Sequence, residues 1–165
     1  MRKTLFLLLV ICFAFSSCGK KDSSVTIKNG LVCEIDGKYW VGDTLTSNII
    51  KSAEYTVITS TLANTTAKQL ELFSIVLKGE LKTGDYSLSV EGNQSYVEFT
   101  STITKKDISS ENEFDKFRSS EGKISIVKFD ENHVEGTFNF TLVTTEEPKK
   151  TLKVTDGKFN IKISK

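Results

Sequence analysis

The stretch Val134-Glu135-Gly136-Thr137-Phe138-Asn139-Phe140-Thr141-Leu142 decides the fold class, because apolar and polar side chains alternate along it. Successive side chains of a strand point to opposite faces, so Val134, Phe138, Phe140 and Leu142 share one face. Glu135, Thr137, Asn139 and Thr141 share the other face. This alternation predicts a β-strand with one face in a core and the other in water.

The same alternation recurs from residue 30 to the end of the chain. The last stretch places Phe159, Ile161 and Ile163 on one face, with polar residues between them. Asp-Gly pairs at 36–37 and 156–157 are typical of tight turns or bulges. Further strands are predicted over 31–35, 38–42, 53–61, 69–77, 85–90, 94–101, 122–129 and 150–155.

Short connections between short amphipathic strands favour antiparallel pairing. We therefore expect an all-β fold, an antiparallel two-layer sandwich of about ten short strands. A closed or partly open barrel is the alternative, because it also hides the apolar faces and removes exposed edges.

An excursion over residues 107–120 interrupts the strand pattern. Ser110 and Glu113 fit a capping box, and Phe114 and Phe117 are three residues apart. This spacing predicts one short helix laid over the end of the core. Because long insertions often carry function, Phe114 and Phe117 are also candidate ligand contacts.

The composition describes an ordinary folded domain. The chain has 165 residues, of which 38% are hydrophobic and 26% are charged, with a formal net charge of +1. A protein that binds nucleic acid by bulk charge carries a concentrated basic excess. We therefore expect no nucleic-acid partner.

The first residues resemble a bacterial lipoprotein signal. Arg2 and Lys3 precede an apolar run over 5–15, which is too short to span a bilayer. Ser16-Ser17-Cys18 then resembles the lipobox. We expect residues 1–17 to be a signal peptide, Cys18 to be lipidated, residues 18–29 to be a flexible tether and residues 30–165 to be a single β domain.

Lipidation defines the predicted compartment. Acyl chains on Cys18, palmitate among them, would hold the protein permanently at a membrane, because two or more chains bind firmly. Gly19 differs from the Asp of inner-membrane retention signals, which favours the outer membrane of a Gram-negative bacterium. Lys21-Asp22 resembles a surface-display signal, so a periplasmic and a surface-facing position both stay open.

The residue types needed for catalysis do not form a recognisable pattern. His133 lies in a predicted turn, and no serine has the Gly-x-Ser-x-Gly context. Cys33 alternates with Leu31 and Ile35, which predicts a buried, inert thiol. We predict no catalytic residue, no metal site and no cofactor.

Two positions are candidates for other roles. Trp40 falls on the face opposite Tyr39 and Val41, so one of the two faces presents an aromatic side chain, and Trp40 is the candidate ligand contact. Asp43-Thr44-Leu45 resembles a sequence that some bacteria glycosylate on exported proteins, which makes Thr44 a candidate modification site.

A series of turn-plus-strand motifs is similar to small uncharacterised lipoproteins that are abundant in Bacteroidota. The resemblance covers nearly all of residues 33–160 and implies an all-β domain of unknown function, without an activity. The motifs are Ile35-Asp36-Gly37-Lys38-Tyr39-Trp40, Gly84-Asp85-Tyr86-Ser87-Leu88, Gly122-Lys123-Ile124-Ser125-Ile126-Val127-Lys128-Phe129-Asp130, Val134-Glu135-Gly136-Thr137-Phe138-Asn139-Phe140 and Thr155-Asp156-Gly157-Lys158-Phe159-Asn160.

These observations favour a lipid-anchored cell-envelope protein that is a non-enzymatic binding or structural module. A glycan hydrolase that uses carboxylates such as Glu34 or Glu111 is one alternative. An inhibitor or partner-binding lipoprotein is another. Besides the membrane itself, the partner is therefore a protein or a glycan, and the sequence does not choose between them.

Overall fold

The computed structural model describes residues 27–64, 69–89, 94–102 and 114–163, which form one antiparallel β-sheet. The described part of the chain contains no helix of the length and hydropathy needed to cross a membrane. The strands are β1 (Gly30–Ile35), β2 (Lys38–Val41), β3 (Asn48–Lys51), β4 (Tyr55–Asn64), β5 (Gln69–Lys78), β6 (Gly84–Ser87), β7 (Tyr96–Thr102), β8 (Phe114–Phe129), β9 (His133–Thr144) and β10 (Thr151–Lys162).

The predicted signal peptide and Cys18 lie outside the described residues, as does the predicted tether up to residue 26. The last residues of that segment are tied to β10. Asn160 Nδ2 donates to the carbonyl of Ile27 at 3.1 Å, and the backbone N–H of Lys162 donates to Asn29 Oδ1 at 2.8 Å. The chain therefore enters the domain along the end of the last strand.

The strands follow the order β2-β1-β10-β9-β8-β7-β5-β4-β3, and β6 pairs with β8 off this path. The sheet curls into a half-barrel, and the connection over 42–47 joins its two edge strands. Within that connection Gly42 N–H donates to the carbonyl of Leu31 and Asp43 N–H donates to the carbonyl of Thr61. The edge strands are thereby drawn towards each other.

The predicted all-β, antiparallel class is confirmed, and the architecture is the partly open barrel that is the alternative to the expected sandwich. Each strand along the path hydrogen-bonds to the next, so the ladder does not break into the two separate layers of a sandwich. The apolar faces instead meet across the concave side of a partly open barrel.

Aromatic rings fill the concave side. Phe73 lies at the centre, with its ring centroid 4.8 Å from that of Trp40, 4.5 Å from Phe99 and 6.3 Å from Phe140. The prediction that the last two strands share this core is confirmed, because the expected inward residues are all buried: Phe138, Phe140, Phe159 and Ile161.

The helix predicted over 107–120 is wrong for the part that the structure describes. Residues 114–120 begin β8, because Phe114–Arg118 pair with β7 and the chain from Phe117 onwards also pairs with β9. With a neighbour on both sides, an extended chain satisfies the backbone groups that a helix would satisfy internally. Residues 107–113 lie outside the described part.

Three β-bulges interrupt the pairing of β9 with its neighbours, and two of them lie beside the same part of β9. In β8 the register shifts between Ser119 and Glu121, and in β10 it shifts between Val154 and Gly157. Asp156 stands in the second bulge with a φ of +52°. The pair Asp156-Gly157, expected at a turn or bulge, therefore forms a bulge inside one continuous strand.

Candidate binding site

Trp40 lies in the core, although the sequence makes it a candidate ligand contact. Its side chain is only 4% exposed. Trp40 of β2 pairs with Cys33 of β1, and both side chains point to the concave, inward face of the sheet. The indole Nε1 donates a hydrogen bond to Glu71 Oε2 at 2.6 Å. The ring is thus enclosed, and its polar edge is used inside the protein.

Glu71 is a nearly buried carboxylate that the sequence analysis missed. Besides Trp40, Gln69 Nε2 donates to its Oε1 at 2.6 Å and Ser101 Oγ donates to the same atom at 3.2 Å. A buried carboxylate is tolerated when hydrogen bonds replace its water. The signal was present in the sequence, because Glu71 alternates with the core residue Phe73.

Cys33 is buried as expected. Burial, with the nearby charges of Glu71 and Glu34, raises the pKa of the Cys33 thiol to about 12. Since the thiolate is the reactive form, this thiol is inert at neutral pH.

The two phenylalanines of the excursion lie on opposite faces of β8, since an interval of three residues changes face in a strand. Phe117 is in the core, 5% exposed, and packs on Phe99 with 6.0 Å between ring centroids. Phe114 is on the outer face and 43% exposed. Of the two, only Phe114 presents its ring to solvent.

Thr44 stands on an exposed turn. Asp43 Oδ1 accepts a hydrogen bond from the Leu45 N–H at 2.8 Å, and the Leu45 side chain is 93% exposed. The Thr44 carbonyl accepts a hydrogen bond from Asn29 Nδ2 at 2.7 Å. The proposed glycosylation of Thr44 stays a prediction, and its side chain is accessible.

His133 closes the turn between β8 and β9. Its backbone N–H and that of Asn132 donate to Asp130 Oδ1 at 2.9 and 2.8 Å. These bonds, together with Lys128, lower the pKa of Asp130 to about 2. The neighbourhood of the histidine is therefore a hydrogen-bonded turn.

The outer face of the sheet carries a shallow groove of about 500 Å³ between the two bulges. Its floor is formed by Gly122, Phe140 and Val154; the last two turn their side chains into the core, so they contribute backbone to the floor. The side chains around it are polar. We call this surface the bulge groove, and its walls are Glu121, Asn139, Thr141, Lys153, Thr155 and Asp156.

Hydrogen bonds fix the walls of the bulge groove. Thr141 Oγ1 donates to Glu121 Oε1 at 3.3 Å across β9 and β8. Asp36 N–H donates to the carbonyl of Lys153 at 2.9 Å, and Lys153 N–H donates to Asp36 Oδ1 at 2.8 Å. The β1–β2 turn is thereby held against β10 beside the groove.

Tyr39 lies in the same cross-strand row as the edge of the groove. Glu34 pairs with Tyr39 on one side and with Thr155 on the other, and all three side chains point outward. Two strand spacings separate Tyr39 from Thr155, which is roughly 10 Å. Tyr39 is 61% exposed, so the aromatic residue that β2 presents to solvent is Tyr39 and not Trp40.

Of the two carboxylates named for a hydrolase, the structure describes one. Glu34 lies on the outer face between Tyr39 and Thr155. Glu111 lies outside the described residues. Within the described ranges, no three His, Cys, Asp or Glu side chains are grouped so that they could hold a metal ion.

A protein-family model with the description "Domain of unknown function (DUF6252)" matches residues 27–161. The chain belongs to this family. The DUF6252 match extends over the two bulges, the groove and Tyr39, so these features fall inside the family domain. The comparisons with curated proteins and with solved structures give no match.

Proposed function

We propose that this protein is a lipid-anchored cell-envelope protein of the Bacteroidota lipoprotein type that it resembles. We further propose that it is a non-enzymatic binding module whose ligand occupies the bulge groove. It is held in the outer membrane by acyl chains on Cys18, on the periplasmic side or at the cell surface.

One observation supports the position of the binding site. Two bulges lie on opposite sides of the same part of β9, and Asp156 adopts a left-handed conformation in one of them. Bulges re-aim side chains and are common beside sites. Asp is one of the few non-glycine residues that adopt this conformation readily, and Asp36 adopts it in the β1–β2 turn. The paired bulges, and not backbone strain, therefore support the site. The two bulges thus place polar side chains of β8 and β10 around one groove.

The exposure of the groove carboxylates supports binding over hydrolysis. A general acid for glycoside cleavage is a carboxyl group held in an apolar pocket. Glu121 and Asp156 are both exposed to water, where they act as hydrogen-bond acceptors for a ligand.

The anchoring part of the proposal is supported by the lipobox-like Ser16-Ser17-Cys18 and by the position of chain entry. The segment from Cys18 to residue 26 reaches at most about 3.5 Å per residue. Because Ile27 is fixed to β10, this length leaves the domain close to the membrane surface.

Fractionation of cells that express Cys18→Ala tests the anchor. We expect the variant to leave the outer-membrane fraction and to lose incorporation of labelled palmitate, while the wild-type chain keeps both. A variant that stays in the membrane with an unchanged label would contradict the anchor.

A substitution that fills the bulge groove tests whether the ligand binds there. We expect the lipidated protein, purified from membranes in detergent, to carry a bound molecule that is detected by mass spectrometry. Asn139→Trp fills the groove from its wall and should release that molecule. Thr137→Trp, on the same strand and face but outside the groove, is the matched control and should retain it.

A further inference from the structure

We infer that the bulge groove and Tyr39 together bind an uncharged oligosaccharide. This inference rests on the proposed function, because it names the ligand class of the same groove. Three properties carry it, namely the kind of polar groups in the walls, the exposed aromatic ring beside them, and the distance over which the two extend.

The polar groups suit hydroxyl groups. A sugar hydroxyl donates one hydrogen bond and accepts others, so it is best met by donors and acceptors placed side by side. Asn139 offers both through its amide, and Thr155 offers both through its hydroxyl. The exposed carboxylates of Glu121 and Asp156 add acceptors, while Lys153 adds donors.

The groove is preorganised for such a ligand. Its walls stand on paired strands, and its floor is backbone above the packed rings of the core. Because the strands already hold the backbone, and Thr141 Oγ1 already donates to Glu121 Oε1, less of the site has to become ordered when a ligand binds. A polar ligand that binds weakly, such as a saccharide, depends on this lower entropic cost of binding.

Tyr39 supplies the apolar surface that a sugar ring needs. A tyrosine ring is an apolar body with a polar tip, and the C–H face of a sugar packs on such a ring. Tyr39 is exposed, and the ladder between β1 and β2 holds its backbone. Glu34 lies between Tyr39 and Thr155 and offers a further acceptor on the path to the groove.

The length of this surface indicates more than one sugar unit. Tyr39 and Thr155 are two strand spacings apart, roughly 10 Å, and the groove continues from Thr155 across β9 to Glu121. One monosaccharide cannot contact both the ring and the far wall. The ligand is therefore an oligosaccharide that lies across the strands.

A basic peptide is the competing ligand class, because the surface carries Glu34, Glu121 and Asp156. Lys153 stands among these carboxylates in the groove wall and opposes a cationic ligand. The mixture of signs, together with the exposed ring, favours an uncharged ligand.

The test is binding of the full, lipidated protein in detergent to immobilised probes. The panel contains defined uncharged oligosaccharides (α- and β-glucans, mannans, xylans), uronic-acid oligosaccharides and lysine-rich peptides. We expect binding to at least one uncharged oligosaccharide. Tyr39→Ala and Asn139→Trp should each weaken it by roughly tenfold or more, which is a clear change in Kd.

Two matched controls show that the effect is local. Tyr55→Ala removes another exposed tyrosine on the outer face, at the start of β4, and Thr137→Trp adds the same ring outside the groove. Both should leave the Kd within about twofold. Thermal melts show whether each of the four variants is folded. If Asn139→Trp is unfolded, the inference is tested by Tyr39→Ala, which changes an exposed side chain of the edge strand β2.

Three results would overturn the inference: binding to uronic-acid oligosaccharides or lysine-rich peptides alone, saccharide binding that is unchanged in both Tyr39→Ala and Asn139→Trp, or no binding to any member of the panel. In the last case, release of a bound molecule by Asn139→Trp would still support the proposed function. Shortening of a bound saccharide during incubation would instead contradict the non-enzymatic part of that proposal.

Discussion

The ring of Phe138 lies directly over Gly157 of the neighbouring strand. A Cβ atom at Gly157 would stand 2.2 Å from ring atoms Cδ2 and Cε2 of Phe138, which no side chain tolerates. Phe159 covers Gly136 in the same way, with 2.4 Å to its Cζ. Two aromatic-over-glycine pairs therefore join β9 and β10 beside the bulge that shapes the groove.

Gly157→Ala should destabilise the domain because the Phe138 ring must shift within a packed core. Overpacking of this kind costs about 1–3 kcal/mol. The free energy of unfolding in urea measures the loss. Thr155→Ala is the matched control in the same bulge, on the outer face, and should cost less than about 0.5 kcal/mol. Equal losses would contradict the ring-over-glycine account.

Phe140→Ala should leave a marginal or unfolded domain. Its ring packs on Phe73 and Phe138, and truncation of a buried phenylalanine costs about 3–5 kcal/mol. Domains of this size are stable by only about 5–15 kcal/mol. Thr141→Ala, on the outer face, should cost less than about 1 kcal/mol. A larger loss at Thr141 in a urea melt would mean that the inward face is assigned backwards.

Trp40 and Glu71 should be energetically coupled. Glu71→Ala leaves the buried indole N–H without its acceptor, at a cost of about 1–3 kcal/mol. Because Trp40→Phe removes that N–H, the double variant should be more stable than the sum of the single losses predicts, by about 0.5–3 kcal/mol. Glu98→Ala, on the outer face of β7, is the uncoupled control. Strict additivity for Trp40 and Glu71 would contradict the contact.

The Cys33 thiol should resist modification in the folded protein. Its pKa is raised to about 12, so at pH 8 almost no thiolate forms. In a full-length chain with Cys12 and Cys18 replaced by serine, a thiol reagent should react only after urea unfolds the protein. Rapid reaction at pH 8 without urea would contradict the burial.

The same shift predicts how stability depends on pH. Between the ordinary pKa of about 9 and the folded value of about 12, the folded state binds more protons than the unfolded state. Stability therefore falls as the pH rises through this window. The fall should be smaller in Cys33→Val, which has no thiol. Identical pH profiles for the two proteins would show that the thiol does not titrate in this way.

The faces of the strands could be predicted from the sequence, whereas the closure of the sheet could not. Alternation assigns Phe138, Phe140 and Ile161 to a core because a one-residue shift would expose all of them. It does not say whether the ladder breaks into two layers. That depends on backbone contacts such as Asp43 N–H to the carbonyl of Thr61, which no local pattern records.

The local pattern does not predict β3 or the start of β8. β3 (Asn48–Lys51) is not predicted because its two isoleucines, Ile49 and Ile50, are adjacent, so apolar and polar residues do not alternate there. The interval of three between Phe114 and Phe117 predicts a helical turn, whereas in the strand it places the two rings on opposite faces. Tertiary pairing with β7 decided between them.

The candidate site could be predicted only in part. The motif around Tyr39 and Trp40 indicated that one face presents an aromatic residue, but not which of the two. The bulge groove combines Glu121 of β8 with Asp156 of β10, which come together only through their shared neighbour β9. Only the pairing register shows that these two distant irregularities meet.

Photo-cross-linking in living cells tests the central claim most directly, because it needs no knowledge of the ligand. A photoreactive phenylalanine analogue in place of Asn139 should capture a specific adduct on the lipidated protein, identified by mass spectrometry. The same analogue in place of Thr137, two residues along the outer face of β9, should capture none. Equal adducts at both positions, or an adduct at 137 alone, would contradict a ligand in the bulge groove.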